Sequence, residues 1–216
     1  MPAAPCSIAV LISGNGTNLQ ALIDASENGN FRISLVISNK ADAFGLERAR
    51  REQIPTCVID HRGYESRQAF DTAVQTALDE AEPRLIVLAG FMRILSAEFV
   101  QHFRGRIINI HPSLLPKYTG TNTHQRALEA GEKEHGVSVH FVTEELDGGP
   151  VIAQERVPVL PNDTAPELAA RVAAREHVLY PRVVTWFAAG RLAMQDHHAC
   201  LDGKILPASG AEQTNQ

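Results

Sequence analysis

The sequence has little cysteine: three residues, Cys6, Cys57 and Cys200, odd in number and far apart. They allow no disulfide framework and no CxxC metal pair, so a reducing compartment is the plain reading. Nine histidines are present without HExxH or a similar ligand spacing, and no metal is expected. A basic excess is also lacking. The formal net charge of −5 argues against a nucleic-acid-binding face. No apolar run approaches the ~18 residues of a membrane span, and Met1–Ser7 lacks the basic flank and apolar stretch of a signal peptide. A cytoplasmic protein with neither membrane nor nucleic-acid partner is expected. The 216 residues, 44% hydrophobic and 21% charged, contain no repeat, charge block or linker. One domain over 1–216 is expected, with a disordered tail over 207–216.

What is present is an alternation of short apolar runs with helical patterns. Ser7–Ile12, Arg32–Ser38, Thr56–Asp60, Arg84–Gly90 and Arg106–Ile110 are rich in Val, Ile and Leu without clean alternation, as for parallel strands buried on both faces. Leu19, Leu22 and Ile23 form one helical stripe, and Phe70, Val74 and Leu78 form another that Ser66 can cap. After His111 two longer strand-like runs, His135–Thr143 and Val151–Val159, flank a Gly-Gly turn and suggest an antiparallel pair. A long helix starts at the capping-box pattern Thr164-x-x-Glu167 and runs towards Gly190, with Pro181 expected to kink or shorten it. Asp202-Gly203 suits a small terminal hairpin. The fold class is α/β: a Rossmann-like, mostly parallel twisted sheet with helices on both faces and an antiparallel C-terminal extension.

Ser13-Gly14-Asn15-Gly16-Thr17-Asn18 follows the first strand and opens the first helix. Glycines let the backbone approach a ligand, free amides at a helix start attract an anion, and Ser13, Thr17 and Asn18 add neutral donors. The chemistry suits phosphate. Leu19 breaks the dinucleotide fingerprint and no Gly-Lys-Ser/Thr follows for a P-loop; a tight turn capped by Thr17 or Asn18 is the bland alternative.

Asn109-Ile110-His111-Pro112 is the most informative stretch. Two residues apart on a strand, Asn109 and His111 project to one side while Ile110 faces the other. An amide donor beside an imidazole can hold a carbonyl oxygen as it becomes an oxyanion, and histidine can move a proton near neutral pH. Prolines then fix the chain's course, and Leu115–Pro116 is a candidate cis bond. Asp147, in Leu146-Asp147-Gly148-Gly149-Pro150, is the best third member, because a carboxylate near His111 favours the protonated imidazole. Judged alone, each of the three is as well explained by a strand end or a turn.

Together these stretches resemble the phosphoribosylglycinamide formyltransferase family, folate-dependent enzymes of purine synthesis. The likeness runs from Ile8 to about Pro207 and is carried by ISGNGTNLQALID (Ile12–Asp24), SNKADAFGLERAR (Ser38–Arg50), LAGFMRILS (Leu88–Ser96), NIHPSLLPKY (Asn109–Tyr118) and HGVSVHFVTEELDGGPVI (His135–Ile152). It implies formyl transfer from the co-substrate 10-formyltetrahydrofolate to the amine of glycinamide ribonucleotide. It implies catalytic roles for Asn109, His111 and Asp147, and substrate contacts for Gly16, Thr17, Asn18 and Glu176. Folate-site positions are Arg67, Met92, Arg93, Ile94, Leu95, Asn109 and the loop Glu144, Glu145, Leu146 and Asp147. His140 either contacts the site or packs beside it. Apart from the resemblance, Arg67 reads as a solvated helix charge, Arg93 and Glu176 as surface, and Met92 as core. The run Thr119–His124 departs from the family pattern but keeps Gly120 and His124. The sequence leaves monomer or homodimer open. Methionyl-tRNA formyltransferase and formyltetrahydrofolate hydrolase share the N-x-H…D pattern but should carry an extra domain and lack the SGNGTN loop. A non-catalytic nucleotide-binding module would leave Asn109, His111 and Asp147 without purpose.

Overall fold

The computed structural model describes residues 4–211. The five Val/Ile/Leu-rich runs become β1 (Cys6–Ile12), β2 (Phe31–Ser38), β3 (Thr56–Val58), β4 (Leu85–Leu88) and β5 (Ile107–His111), all parallel. The expected antiparallel pair is β6 (Glu134–Phe141) and β7 (Val151–Pro158), which extend the sheet beyond β5 to give the order β3-β2-β1-β4-β5-β6-β7. The chain therefore reverses its direction of winding between β1 and β4, where open α/β sheets bind ligands at the carboxyl ends of their strands.

Both faces of the sheet are covered, which explains the missing alternation. Ile8, Val10 and Ile12 of β1 pack with the helices α1 (Thr17–Ser26), α2 (Phe44–Arg51) and α6 (Ala165–Ala188). Ala9 and Leu11 pack on the other side with α3 (Arg67–Ala81) and α4 (Ala97–His102). A further short helix, α5 (Thr123–Glu129), lies against α6. Helix starts follow the sequence signals: Ser66 Oγ accepts from the Ala69 N–H at 3.1 Å, and Thr164 and Glu167 form the capping box. α2, α4 and α5 carry no long apolar stripe; α2 buries Gly45, Leu46 and Ala49, two of them too small to mark a periodic face.

Pro181 does not shorten α6, which continues to Ala188. An interior proline costs ~3 kcal/mol through its lost N–H and steric clash. Leu179, Tyr180, Val183 and Val184 around it are fully buried, and burial at ~1.5–3 kcal/mol each outweighs that cost. Tyr180 also places its hydroxyl under the sheet, donating to the Leu88 carbonyl at 2.8 Å with the Ile108 carbonyl 3.2 Å away. It thereby sits beneath the carboxyl end of β4 and the residue of β5 that precedes Asn109.

Asp202-Gly203 turns the hairpin between β9 (His198–Leu201) and β10 (Lys204–Ile205), both turn residues having positive φ. A preceding strand, β8 (Leu192–Gln195), was not anticipated; Asp196-His197 turns it onto β9. The expectation of disorder from Pro207 is corrected over 207–211. The Gly210 N–H closes a turn on Pro207 O, and Ala211 N donates to Ile152 O at 2.7 Å in a parallel bridge beside β7. Gly210 is required there, since a Cβ would meet the Ile152 carbonyl carbon at 2.5 Å. The part of that expectation covering 212–216 lies outside the described residues.

Replacing Tyr180 by Phe removes one buried donor and leaves the Leu88 carbonyl without it. Urea denaturation should show a loss of about 1–3 kcal/mol with an unchanged slope.

Candidate active site

The pairing of β5 with β6 assembles the central cluster. Asn109 and His111 leave the same face of β5, the face of Ile107 and the α3/α4 cluster, while Ile108 and Ile110 join the opposite one. In the antiparallel register Asn109 lies opposite His140 and His111 opposite Ser138. Cross-strand neighbours are close enough to bond, and the Asn109 Nδ2 is 3.2 Å from His140 Nε2. His140 is buried, and its other nitrogen, Nδ1, lies 2.9 Å from the Phe141 carbonyl and must donate to it. Desolvation pushes the imidazole's pKa down, which favours the neutral ring. A neutral ring donating from Nδ1 has only a lone pair at Nε2, so Asn109 must present its amide nitrogen there.

Asp147 enters from the β6–β7 loop in a left-handed conformation, φ 52. Its Oδ2 is 3.5 Å from His111 Nδ1 and its Oδ1 is 3.7 Å from His140 Nε2, so the carboxylate sits between two imidazoles. The Gly120 N–H donates to Oδ2 at 2.8 Å. Gly120 belongs to the segment that departs from the family pattern, and through its backbone it holds the carboxylate. The His111 and Asp147 side chains are only 6% and 7% exposed. His111 Nε2 donates to the Tyr118 carbonyl at 2.8 Å, so both ring nitrogens face protein atoms. Leu115–Pro116 is cis, and Ser138 anchors this loop: its hydroxyl donates to Ser113 O and accepts from the Leu115 N–H.

The glycine loop leaves β1 at the reversal point. Gly16, with φ 73, stands at the start of α1 without any side-chain cap, so neither Thr17 nor Asn18 acts as one. A Cβ on Gly16 would meet Gly45 Cα at 2.6 Å, so this glycine is required where α1 and α2 start against each other. Gly45 N–H donates to Gly14 O, and Arg48 Nε donates to Asn15 O, bringing a cation to the loop. One expectation is corrected: Ser13 does not present its hydroxyl outward, because it donates to Asn39 Oδ1. Asn18 Nδ2 donates to Glu176 Oε2 at 2.8 Å, while Asn18 Oδ1 is buried without a partner. Burial pushes the Glu176 carboxyl up, so the simple surface reading of that residue fails. A cleft of about 560 Å³ starts at Thr17 and Arg48 and runs beside α1 to His177 and Pro181; its lining includes none of Asn109, His111, His140 and Asp147.

The segment after β4 is partly exposed. Met92 is 66% and Ile94 56% exposed, which corrects the core reading of Met92; Leu146 is 53% exposed. Leu95 packs inward, Arg93 lies over the Phe70 ring at 5.9 Å, and Arg67 is an exposed residue opening α3. Arg93 Nε is buried without a partner. Glu144 accepts from Gln101 Nε2, and Glu145 is exposed. The segment's far end is tied down by Asp71, whose Oδ2 accepts from the Ser96 N–H at 2.6 Å. Sequence reasoning missed Gly120, Tyr118 and Asp71. His140 it left undecided, because only the antiparallel register shows which strand residue opposes Asn109.

The sequence model of the formyl transferase family matches residues 6–184. The chain belongs to the formyl transferase family. It is 55% identical to the phosphoribosylglycinamide formyltransferase of Escherichia coli over 206 residues, covering 94% of this chain and 97% of that one. The enzyme of the same name from Haemophilus influenzae is 53% identical with the same coverage. Among solved structures, the phosphoribosylglycinamide formyltransferase of Coxiella burnetii superposes with a TM-score of 0.92 at 57% identity, over 95% of this chain and 98% of that one. Within its family the chain therefore sits with the phosphoribosylglycinamide formyltransferases.

A second histidine pair lies behind the Tyr118 loop. His135 Nε2 is 3.2 Å from His124 Nδ1, and the His135 ring also bonds the Pro112 carbonyl. Burial brings His135 down from 6.5 to about 4 and lowers His124 as well. Between those values the unfolded chain binds the proton and the folded one does not, so stability should fall as pH drops from about 6.5 towards 4. Denaturation at a series of pH values should show this slope in the native protein and a shallower one in His135→Gln.

Proposed function

We propose that the chain transfers the formyl group of 10-formyltetrahydrofolate to the amine of glycinamide ribonucleotide, giving formylglycinamide ribonucleotide and tetrahydrofolate. The observation that carries the reading is the buried cluster in which Asp147 lies between His111 and His140 while His140 orients Asn109. A hydrolase gives no reason for the uncapped glycine loop, and a binding module gives none for the buried cluster of Asn109, His111 and Asp147. One domain holds both substrates, and no metal takes part.

The phosphate rests on the Gly14–Asn18 loop, where the unpaired amides at the start of α1 and Arg48 favour an anion. Gly16, Thr17 and Asn18 contact it, and Glu176 contacts the same substrate. The folate lies against Met92–Leu95 and the Glu144–Asp147 loop, with Arg67 and Arg93 on the α3 side. Met92, Ile94 and Leu146 supply exposed apolar surface for its flat rings.

The neutral amine attacks the formyl carbon, and holding the two in contact supplies much of the rate. The carbonyl oxygen becomes an oxyanion held by the Asn109 amide and by His111, whose Nε2 donor passes from Tyr118 O to that oxygen. Asp147, 3.5 Å from the Nδ1 side of that ring, orients the imidazole and orders the water that carries the amine's proton away. The C–N10 bond then breaks, and N10 of the departing folate takes the proton.

Asn109→Ala and His111→Ala should each lower kcat by about a hundredfold or more, the scale of losing one oxyanion donor. Asp147→Asn should be similarly damaging and should change the pH profile. The assay follows deformylation of the folate spectroscopically. Release that requires glycinamide ribonucleotide supports the transferase, release without it identifies a hydrolase, and none at all identifies a binding module.

A further inference from the structure

The segments assigned above to acceptor and donor meet at one buried hydroxyl. Ser13 Oγ donates to Asn39 Oδ1 at 2.5 Å and accepts from the Met92 N–H at 2.8 Å. Ser13 and Asn39 are 5% and 1% exposed. Asn39 Nδ2, on the far side of the amide, lies 3.3 Å from His61 Nδ1. A serine has a single proton. With that proton committed to Asn39, the hydroxyl accepts from Met92 and so links the two segments through one bonding pattern.

The position of this junction gives it a role. The β1–β4 ladder ends at Leu11 opposite Leu88, with Ala89 N–H bonded to Leu11 O. Beyond it the two chains part at the reversal point of the sheet. One becomes the glycine loop and the other turns at Gly90, φ 73, into Met92–Leu95. The Met92 N–H points inward to Ser13 while its side chain points outward. The Ser13 hydroxyl thus continues the ladder across the floor of the crevice, where its two partners would otherwise be buried and unsatisfied.

We propose that Ser13 is a positioning residue that couples the two substrate sites. By linking Met92–Leu95 to Gly14–Asn18, it lets a ligand that orders one segment order the other, so that filling one site strengthens binding at the other. This rests on the assignment of the two loops under Proposed function. An ordering cost met by the first ligand is not met again by the second, and the effect is reciprocal.

The test measures the affinity of a folate analogue that carries no transferable formyl group, with and without saturating glycinamide ribonucleotide. In the native protein the ribonucleotide should tighten the analogue on the order of fivefold or more, the low end of typical coupling. In Ser13→Ala the factor should fall towards one, with KM raised for both substrates and kcat at saturation changed less. Ser13→Thr, which keeps the hydroxyl, should restore it. A further measurement needs no variant: hydrogen exchange at the Met92 amide should slow when the ribonucleotide alone is added to the native protein. A native coupling factor of one, a Ser13→Ala protein with full coupling, or an unchanged Met92 exchange rate overturns the proposal. If the native protein transfers no formyl group to the ribonucleotide, the functional reading fails instead; normal transfer with no coupling sinks only the role of Ser13.

Discussion

The buried carboxylate of Asp147 is the constraint on which the site depends. A charge withdrawn from water is tolerated only when it is paired and hydrogen-bonded, and an isolated one would neutralise or turn outward. Here one oxygen takes the Gly120 N–H and faces His111, while the other faces His140. Reaching that position requires the left-handed backbone at Asp147 and a close return of the loop at Gly149, where a Cβ would meet the Phe141 carbonyl oxygen at 1.8 Å. The Gly-Gly pair serves proximity here more than flexibility. The Gly120 contact also binds the Lys117–His124 loop to the β6–β7 loop, so two loops distant in sequence are organised around one charge.

The two imidazoles beside the carboxylate acquire definite orientations from their other bonds. His140 is held neutral by burial, and its bond to Phe141 O leaves it one acceptor, which sets the amide of Asn109. His111 has Asp147 on one nitrogen and Tyr118 O on the other. The cluster is pre-organised because each member has one hydrogen-bonding solution. Tyr180, its hydroxyl beneath the sheet against Leu88 O and Ile108 O, supports β5 and the neighbouring strand β4 from below. Asn109 and His111 stand on β5 and His140 on β6, while Asp147 is held from the β6–β7 loop by its own contacts; rigid elements are how a catalytic geometry is kept within tight limits.

Much of the fold was legible in the sequence. The Val/Ile/Leu-rich runs mark parallel strands because both faces of such a sheet are buried, and the Thr164–Glu167 box marks a helix start because its side chains satisfy backbone groups locally. Short helices such as α2 were not legible, since small residues carry their contacts and leave no hydrophobic period. Pro181 misled for a related reason: its local cost is real, and distant packing outweighs it.

For the site, the sequence by itself determined the polar pair on one strand face, the glycine loop at a helix start and a carboxylate on a glycine turn. These are properties of spacing and residue type, which act over a few residues. Only the tertiary structure decided that Asp147 lies between two histidines, that Gly120 holds it, that Met92 is outside the core and that the Ser13 hydroxyl faces inward. Each of those depends on which residue from a remote strand or loop occupies the neighbouring position, and local physics carries no information about that. Asp147, indistinguishable in sequence from an ordinary turn aspartate, is set apart by the company its fold gives it.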